Sequence, residues 1–232
     1  MAPDHVDDAP LGGADPLAGL PAAAGPTAGL DDAFLRACED ELAGRVSPRR
    51  LAHVRGVAQT ARRLARRYGV DERAAYAAGL LHDWDKGYDD EGIRARARDL
   101  GLDARLDPWV IEHMPQVLHA HTAAAALGRA YPQIPAKVLQ AIDRHTVAAP
   151  DMAPLDMVTY VADALEPGRR FGRIDELRAA EERLDLDELF LATYEYWVTL
   201  LLERRRPVHP DTIRIWNECV ARRAARKEED RD

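Results

Sequence analysis

Leu80-Leu81-His82-Asp83-Trp84-Asp85-Lys86 follows directly on an Ala- and Leu-rich run, Ala74 to Leu81. The run reads as a buried helix that delivers an adjacent imidazole and carboxylate to its end. Burying that pair is costly unless something binds it, and a divalent cation satisfies both groups at once. Lys86 lies one helical turn past His82, so it can face whatever such a cation holds. A His-Asp dipeptide alone occurs often by chance. Its weight here comes from groups elsewhere in the chain: His53 before it, and His119, His145 and Asp163 after it.

Outward from this stretch the punctuation is helical, and no long Val/Ile/Thr alternation predicts a strand. Asp31 and Asp32 open a short segment through Phe34, Leu35, Cys38 and Leu42. Ser47-Pro48 is an N-cap followed by proline at the first helical position. From there Leu51, Val54, Val57, Ala58, Ala61, Leu64, Ala65 and Tyr68 repeat at helical spacing until Gly69. Asp71 caps the helix that ends at His82-Asp83. Asp89-Asp90 caps another that closes at Gly101. Arg105 to Gln116, interrupted by Pro108 and Pro115, reads as irregular. Val117 to Thr122 leads into an Ala-rich helix, Ala123 to Ala130. Pro135 starts a helix ending at His145-Thr146, and Pro154 starts one through Leu165. Beyond Pro167, Arg169, Arg170 and Arg173 form a basic turn. A long helix then runs from Leu184 to Leu202, and Asp211 caps the last one. The aromatic stripe Phe190, Tyr194 and Trp197 reads as packing rather than a ligand box.

The chain is therefore predicted to be all-α, one domain with tails: residues 1–30 an Ala/Pro/Gly-rich tail, 31–222 the folded domain, 223–232 a charged tail that frays. The first segment lacks the basic start and apolar core of a secretory signal. No window approaches a membrane span, so the expected location is cytoplasmic and no membrane partner is expected. Cys38 and Cys219 stand alone without CxxC spacing and read as free thiols. The net charge is −8, from 40 acidic and 32 basic residues, which argues against nucleic-acid binding. Arg49, Arg50, Arg55, Arg62, Arg63, Arg66 and Arg67 cluster locally. At helical spacing they read as the solvated side of one amphipathic helix, with a steering field for a polyanion as the alternative.

His53, His82, Asp83, His119, His145 and Asp163 form the candidate constellation. Taken alone, His53 fits a satisfied core histidine or a surface residue better than a ligand. Asp163 inside its apolar run fits an exposed polar residue as well as a ligand. His119 and His121 diverge in direction on a helix start, so one of them at most is expected to face the site. Imidazole and carboxylate donors without thiolates suit iron, manganese or zinc. Six protein ligands exceed what one open catalytic ion takes, and they suit two ions sharing Asp83 as a bridge. Two ions about 3.5–4 Å apart can hold a hydroxide at neutral pH and clamp a phosphoryl oxygen. Lys86 and Arg169 are candidates to position phosphates and neutralise charge. No P-loop or dinucleotide glycine pattern is present. Ser47 is the only serine and reads as a cap, which excludes serine nucleophile chemistry.

These residues resemble the HD-domain metal-dependent phosphohydrolases, and more finely the YqeK-type HD proteins. The similar blocks are His53 to Ala61, Ala78 to Asp83 with Lys86, Leu118-His119, Ala141 to Thr146, and Ala162 to Arg169. The resemblance covers roughly Pro48 to Leu202 and is most specific in the His-Thr and Glu-Pro-x-Arg blocks. It implies an HD-type helical bundle with a two-iron centre, manganese being the alternative metal. It also implies symmetrical hydrolysis of diadenosine tetraphosphate to two ADP by a metal-bound hydroxide. Carried over, His53, His82, Asp83 and Asp163 would hold one ion, and Asp83, His119 and His145 the second. Lys86, Thr146 and Arg169 would contact phosphates, with Asp83 and Lys86 as the catalytic pair. Two departures stand out: Ala120-His121 where the family has a glycine after its third histidine, and Val147-Ala148-Ala149 where it has a glycine after His-Thr. His121 reads as a loop histidine, a spare ligand or an acid near the leaving group. The competing expectations are another nucleotide as substrate on the same scaffold, or a nucleotide-binding regulator without turnover. A homodimer is left open.

Overall fold

The structure is a computed structural model that describes residue 27 and residues 29–229. Most of the predicted N-terminal tail thus lies outside the described residues. Its end does not: Leu30 is fully buried in the core, and its N–H donates to Thr27 O at 2.9 Å. Eleven α-helices and no strand occur among the described residues: α1 (Asp32–Arg45), α2 (Pro48–Tyr68), α3 (Glu72–Leu81), α4 (Asp90–Asp99), α5 (Pro108–His113), α6 (Leu118–Ala130), α7 (Ala136–Arg144), α8 (Pro154–Leu165), α9 (Ile174–Glu181), α10 (Leu186–Glu203) and α11 (Thr212–Glu229).

The caps read from sequence hold these helices. Ser47 accepts from Arg50 N–H, Asp71 from Arg73 and Ala74 N–H, and Asp89 from Gly92 N–H. Each such cap stabilises its helix by about 1 kcal/mol. Gly69 closes α2 in the left-handed conformation at φ 69°. The core layers α2 against α3 and α8, with α7 against α6, α3 and α8, and α10 outside α8. Small residues make the central contact tight. Ala74, Ala75, Ala77 and Ala78 of α3 are fully buried, and a Cβ at Gly79 would stand 2.8 Å from Ala58 Cα. That close approach brings the C-terminus of α3, and with it His82-Asp83, against the middle of α2. Phe190 and Tyr194 of α10 pack on Tyr160 of α8, with ring centroids at 5.3 and 6.0 Å. No described helix is long and apolar enough to cross a membrane.

The structure differs from the sequence reading in four further places. The segment expected to be irregular contains α5, because Pro108 sits at a helix start with Asp107 capping it and therefore begins a helix instead of breaking one. A 3₁₀ turn, Pro115–Val117, then leads into α6, which starts at Leu118 rather than Ala123. Helix α9 was not expected; it buries only Ile174, Leu177 and Glu181 and has no side-chain cap. The last helix continues to Glu229, through residues expected to form a charged tail, and on it Ile213 and Val220 are exposed while Ile215 and Cys219 are buried.

Candidate metal centre

Five helices supply the site. His53 comes from the second turn of α2, His82 caps the end of α3, and Asp83 follows it. His119 lies in the first turn of α6, His145 caps the end of α7, and Asp163 lies in the last turn of α8. All six side chains meet around Asp83. On its Oδ2 side are His82 Nε2 at 3.3 Å and His53 Nε2 at 3.7 Å. On its Oδ1 side are His119 Nε2 at 3.1 Å and His145 Nε2 at 4.0 Å. Asp163 Oδ1 lies 3.0 Å from His53 Nε2 and 3.8 Å from His82 Nε2. Two ligand groups result, His53–His82–Asp83 and Asp83–His119–His145, with donor atoms all within 4.8 Å of one another in each group. One carboxylate thus faces one imidazole pair with each oxygen.

The imidazoles are oriented from behind. Nδ1 of His82, His119 and His145 lies 2.7 Å from the carbonyl oxygens of Gly79, Gln116 and Ile142 respectively. A carbonyl only accepts, so each Nδ1 carries a proton, and in its neutral form each ring presents a bare Nε2 inward. His119 Nε2 and His145 Nε2 are 3.1 Å apart. Burial holds both histidines below the ordinary imidazole pKa, His145 well below it with the charges of His82 and His119 acting in the same direction. Two lone pairs so placed repel unless a cation lies between or beside them. Nε2 of His53 and of His82 are also buried without a hydrogen-bond partner. Orphaned inward nitrogens, an Asp with both oxygens turned to them and no sulfur donor together fit one or more divalent cations.

Burial, the largest influence on Asp83, would raise its pKa, but His82 and His119 outweigh it and hold the carboxyl well below the usual range. Burial would likewise lower His82, and the carboxylates of Asp83 and Asp163 outweigh it in raising the ring. Asp163 is held well below the carboxylate range, burial being outweighed chiefly by Arg169. Arg169 bonds Asp163 Oδ1 and donates from Nε to Asp163 O at 2.8 Å. Lys86 Nζ stands 3.3 Å from His119 Nδ1 and 3.5 Å from Gln116 O, and burial lowers its pKa. Thr146 Oγ1 is buried with no partner. His121 joins neither ligand group. It turns away from the cleft and meets Asp143 Oδ1 at 2.7 Å through Nδ1.

Two residues escaped the sequence reading. Arg50 donates from Nη1 to Asp83 Oδ2 at 2.8 Å. The sequence reading groups it with the solvated arginines, although its position three residues before His53 puts it on the same face of α2. Four others of that cluster are spent on neighbouring acids: Arg55 on Glu39, Arg62 and Arg66 on Glu72, Arg63 on Glu181. Glu166 places Oε1 3.1 Å from His53 Nδ1. It stands in the Glu-Pro-x-Arg block, where the sequence reading gives a task to the arginine alone.

Residues 50–168 match the HD domain family. The chain is 32% identical over 177 residues to the symmetrical bis(5′-nucleosyl)-tetraphosphatase of Bacillus subtilis, covering 76% of this chain and 92% of that protein. It is 30% identical to the protein of the same name from Halalkalibacterium halodurans, over 74% of this chain and 89% of that one. A crystal structure of a predicted HD superfamily hydrolase involved in NAD metabolism, from Clostridium acetobutylicum, superposes with a TM-score of 0.74. It is 31% identical, and the match covers 81% of this chain and 97% of that one.

Proposed function

This chain belongs to the HD domain family of metal-dependent phosphohydrolases, and within it we propose that the chain hydrolyses diadenosine tetraphosphate symmetrically to two ADP. The observation that carries the proposal is the double-sided carboxylate: Asp83 Oδ2 faces His53 and His82 while Oδ1 faces His119 and His145. That arrangement suits two divalent ions, with His53, His82, Asp83 and Asp163 for one and Asp83, His119 and His145 for the other. Iron is the proposed metal and manganese its alternative, both matching a nitrogen and oxygen donor set. Ions held there would polarise phosphoryl oxygens and lower the pKa of water.

The chain's own residues would hold the tetraphosphate against that centre. Arg50, Lys86 and Arg169 bring three cationic groups to its rim, enough to offset charge that builds on the phosphoryl oxygens. Thr146 offers a buried hydroxyl with no partner of its own as a further donor. In the net reaction a water oxygen bonds to one inner phosphorus and the central P–O–P bridge breaks. The bridging oxygen leaves with the other half, so each product is a nucleoside diphosphate. Supporting this substrate are the names of the relatives and their near-complete coverage. A hydrolase domain that takes in Leu30 and runs through α11 belongs to the same proposal.

The test is metal analysis of anaerobically purified protein, followed by product analysis with diadenosine tetraphosphate. ADP as sole product is expected. AMP with ATP would defeat symmetrical cleavage, and turnover only with other nucleotides in a substrate panel would move the activity elsewhere on the same scaffold. Tight nucleotide binding with no product over hours would make the chain a regulator.

A further inference from the structure

Three of the four imidazoles in the centre are tied through Nδ1 to main-chain carbonyls, His119 with Lys86 Nζ also beside it, while the fourth, His53, is tied to a carboxylate side chain. That side chain, Glu166, is 4% exposed. Both of its oxygens are committed: Oε1 lies 3.1 Å from His53 Nδ1, and Oε2 accepts Gly168 N–H at 2.5 Å. The slot admits nothing larger. A Cβ at Gly56 would come within 2.7 Å of Oε2, and one at Gly168 within 2.8 Å of Oε1. Gly56 lies three residues after His53, so one face of α2 supplies both the ring and the gap beside it. Arg178 fixes the turn that carries Glu166, donating to Glu166 O at 2.7 Å and Leu165 O at 3.2 Å.

No equivalent exists on the other side of Asp83 among the described residues. The carboxylate nearest in sequence to His145 is Asp143, and it is spent on His121. A histidine backed by a carboxylate is a better-oriented and stronger donor than one backed by an amide carbonyl, and such outer partners are worth about 10–100-fold in metal affinity. The first ligand group also has Asp163 beside it, whereas the second shares only Asp83.

We propose that Glu166 is a positioning residue that makes the two halves of the centre unequal, so that a divalent cation binds more tightly at His53–His82–Asp83–Asp163 than at Asp83–His119–His145. This rests on the two-ion reading above. Metal-stripped full-length protein titrated with Mn²⁺ in a calorimeter should show two classes of site. Glu166→Gln should weaken the tighter class by about 10–100-fold and leave the weaker class unchanged. Gly56→Ala keeps the Glu166 charge but drives a methyl group against it, and it should weaken the same class by a smaller factor. Should Glu166→Gln fail to fold, Gly56→Ala decides, and an unchanged tight class there overturns the proposal. Two classes in the unaltered protein with Glu166→Gln touching neither, or both equally, overturn it too. Two ions in a single class in the unaltered protein overturn this inference and leave the two-ion reading standing, whereas one ion or none overturns that reading and this inference with it.

Discussion

Helices α6 and α7 each carry two ionisable residues spaced two apart, and the two sides of their seam behave oppositely. On the cleft side, His119 and His145 point bare Nε2 atoms at one another across 3.1 Å. On the far side, His121 and Asp143 close a partly buried ion pair at 2.7 Å. Burial, the largest influence on His121, would lower its pKa, yet the charge and hydrogen bond of Asp143 outweigh it and raise the ring above the ordinary value. On His119 and His145 nothing outweighs burial, and both fall. Similar depth and the same helices thus give one side that is complete and one that needs a cation. A buried polar group with its partner in the chain is structure; one without is a place for something else.

The largest effect that would break this contrast lies at Asp83, which serves the cleft alone. Asp83→Asn keeps the shape and removes the charge shared by both ligand groups. Metal affinity and turnover should both fall by more than the roughly 100-fold that an outer partner's loss costs. Metal analysis and ADP release measure it, and a variant that still retains both ions would mean the bridge is not at Asp83.

The far side comes next, because there the cost should appear in stability. His121→Ala leaves Asp143 buried without its partner, a change worth about 3 kcal/mol. In a chain of this length that lowers Tm by roughly 6–12 °C. His145→Gln on the cleft side keeps most of the volume and relieves the facing lone pairs, so the metal-free protein should lose less stability than with His121→Ala. Melting curves of the two metal-stripped variants give the comparison directly. Equal losses would erase the distinction between the sides.

A smaller effect sharpens the cleft side. Arg50 bonds Asp83 Oδ2 from a position one-third exposed, where it can exchange that carboxylate for a phosphate. Arg50→Ala should raise KM for diadenosine tetraphosphate by about 10-fold, within the range of one charge-assisted hydrogen bond, and change kcat less. A fall in kcat with KM unchanged would place Arg50 at the reacting phosphorus instead.

What sequence could reveal follows the same division. Caps at Ser47, Asp71 and Asp89 and the period of α2 were legible because they are local. His82-Asp83 was legible because an ionisable pair at the end of an apolar run asks for a partner. The divergence of His119 and His121 followed from helical geometry. Glu166 and Arg50 were not legible as site residues, since what matters is where their far ends arrive, across 113 and 33 residues of chain. Helix α9 escaped because a short helix with few buried residues and no cap leaves little pattern. Pro108 misled because proline at the first position of a helix looks, in sequence, like proline that ends one.

The last effect lies where the two sides join. Ala148 follows His145-Thr146 and adopts φ 69°, the left-handed region. Its N–H still donates to Arg144 O at 2.9 Å, so the residue ends the turn that follows α7 in a conformation usually given to glycine. Alanine there costs about 1–2 kcal/mol in backbone strain, and glycine returns roughly half of that to the greater freedom of the unfolded chain. Ala148→Gly should therefore raise stability by about 0.5–1 kcal/mol and Tm by roughly 1–4 °C. Because the Nδ1–carbonyl bond that orients His145 runs to Ile142, upstream of the strained residue, metal stoichiometry should not change. A rise in Tm with both ions kept separates the cost of ending α7 from the cost of aiming His145. A rise accompanied by loss of an ion would mean that the strained alanine itself holds the imidazole in place.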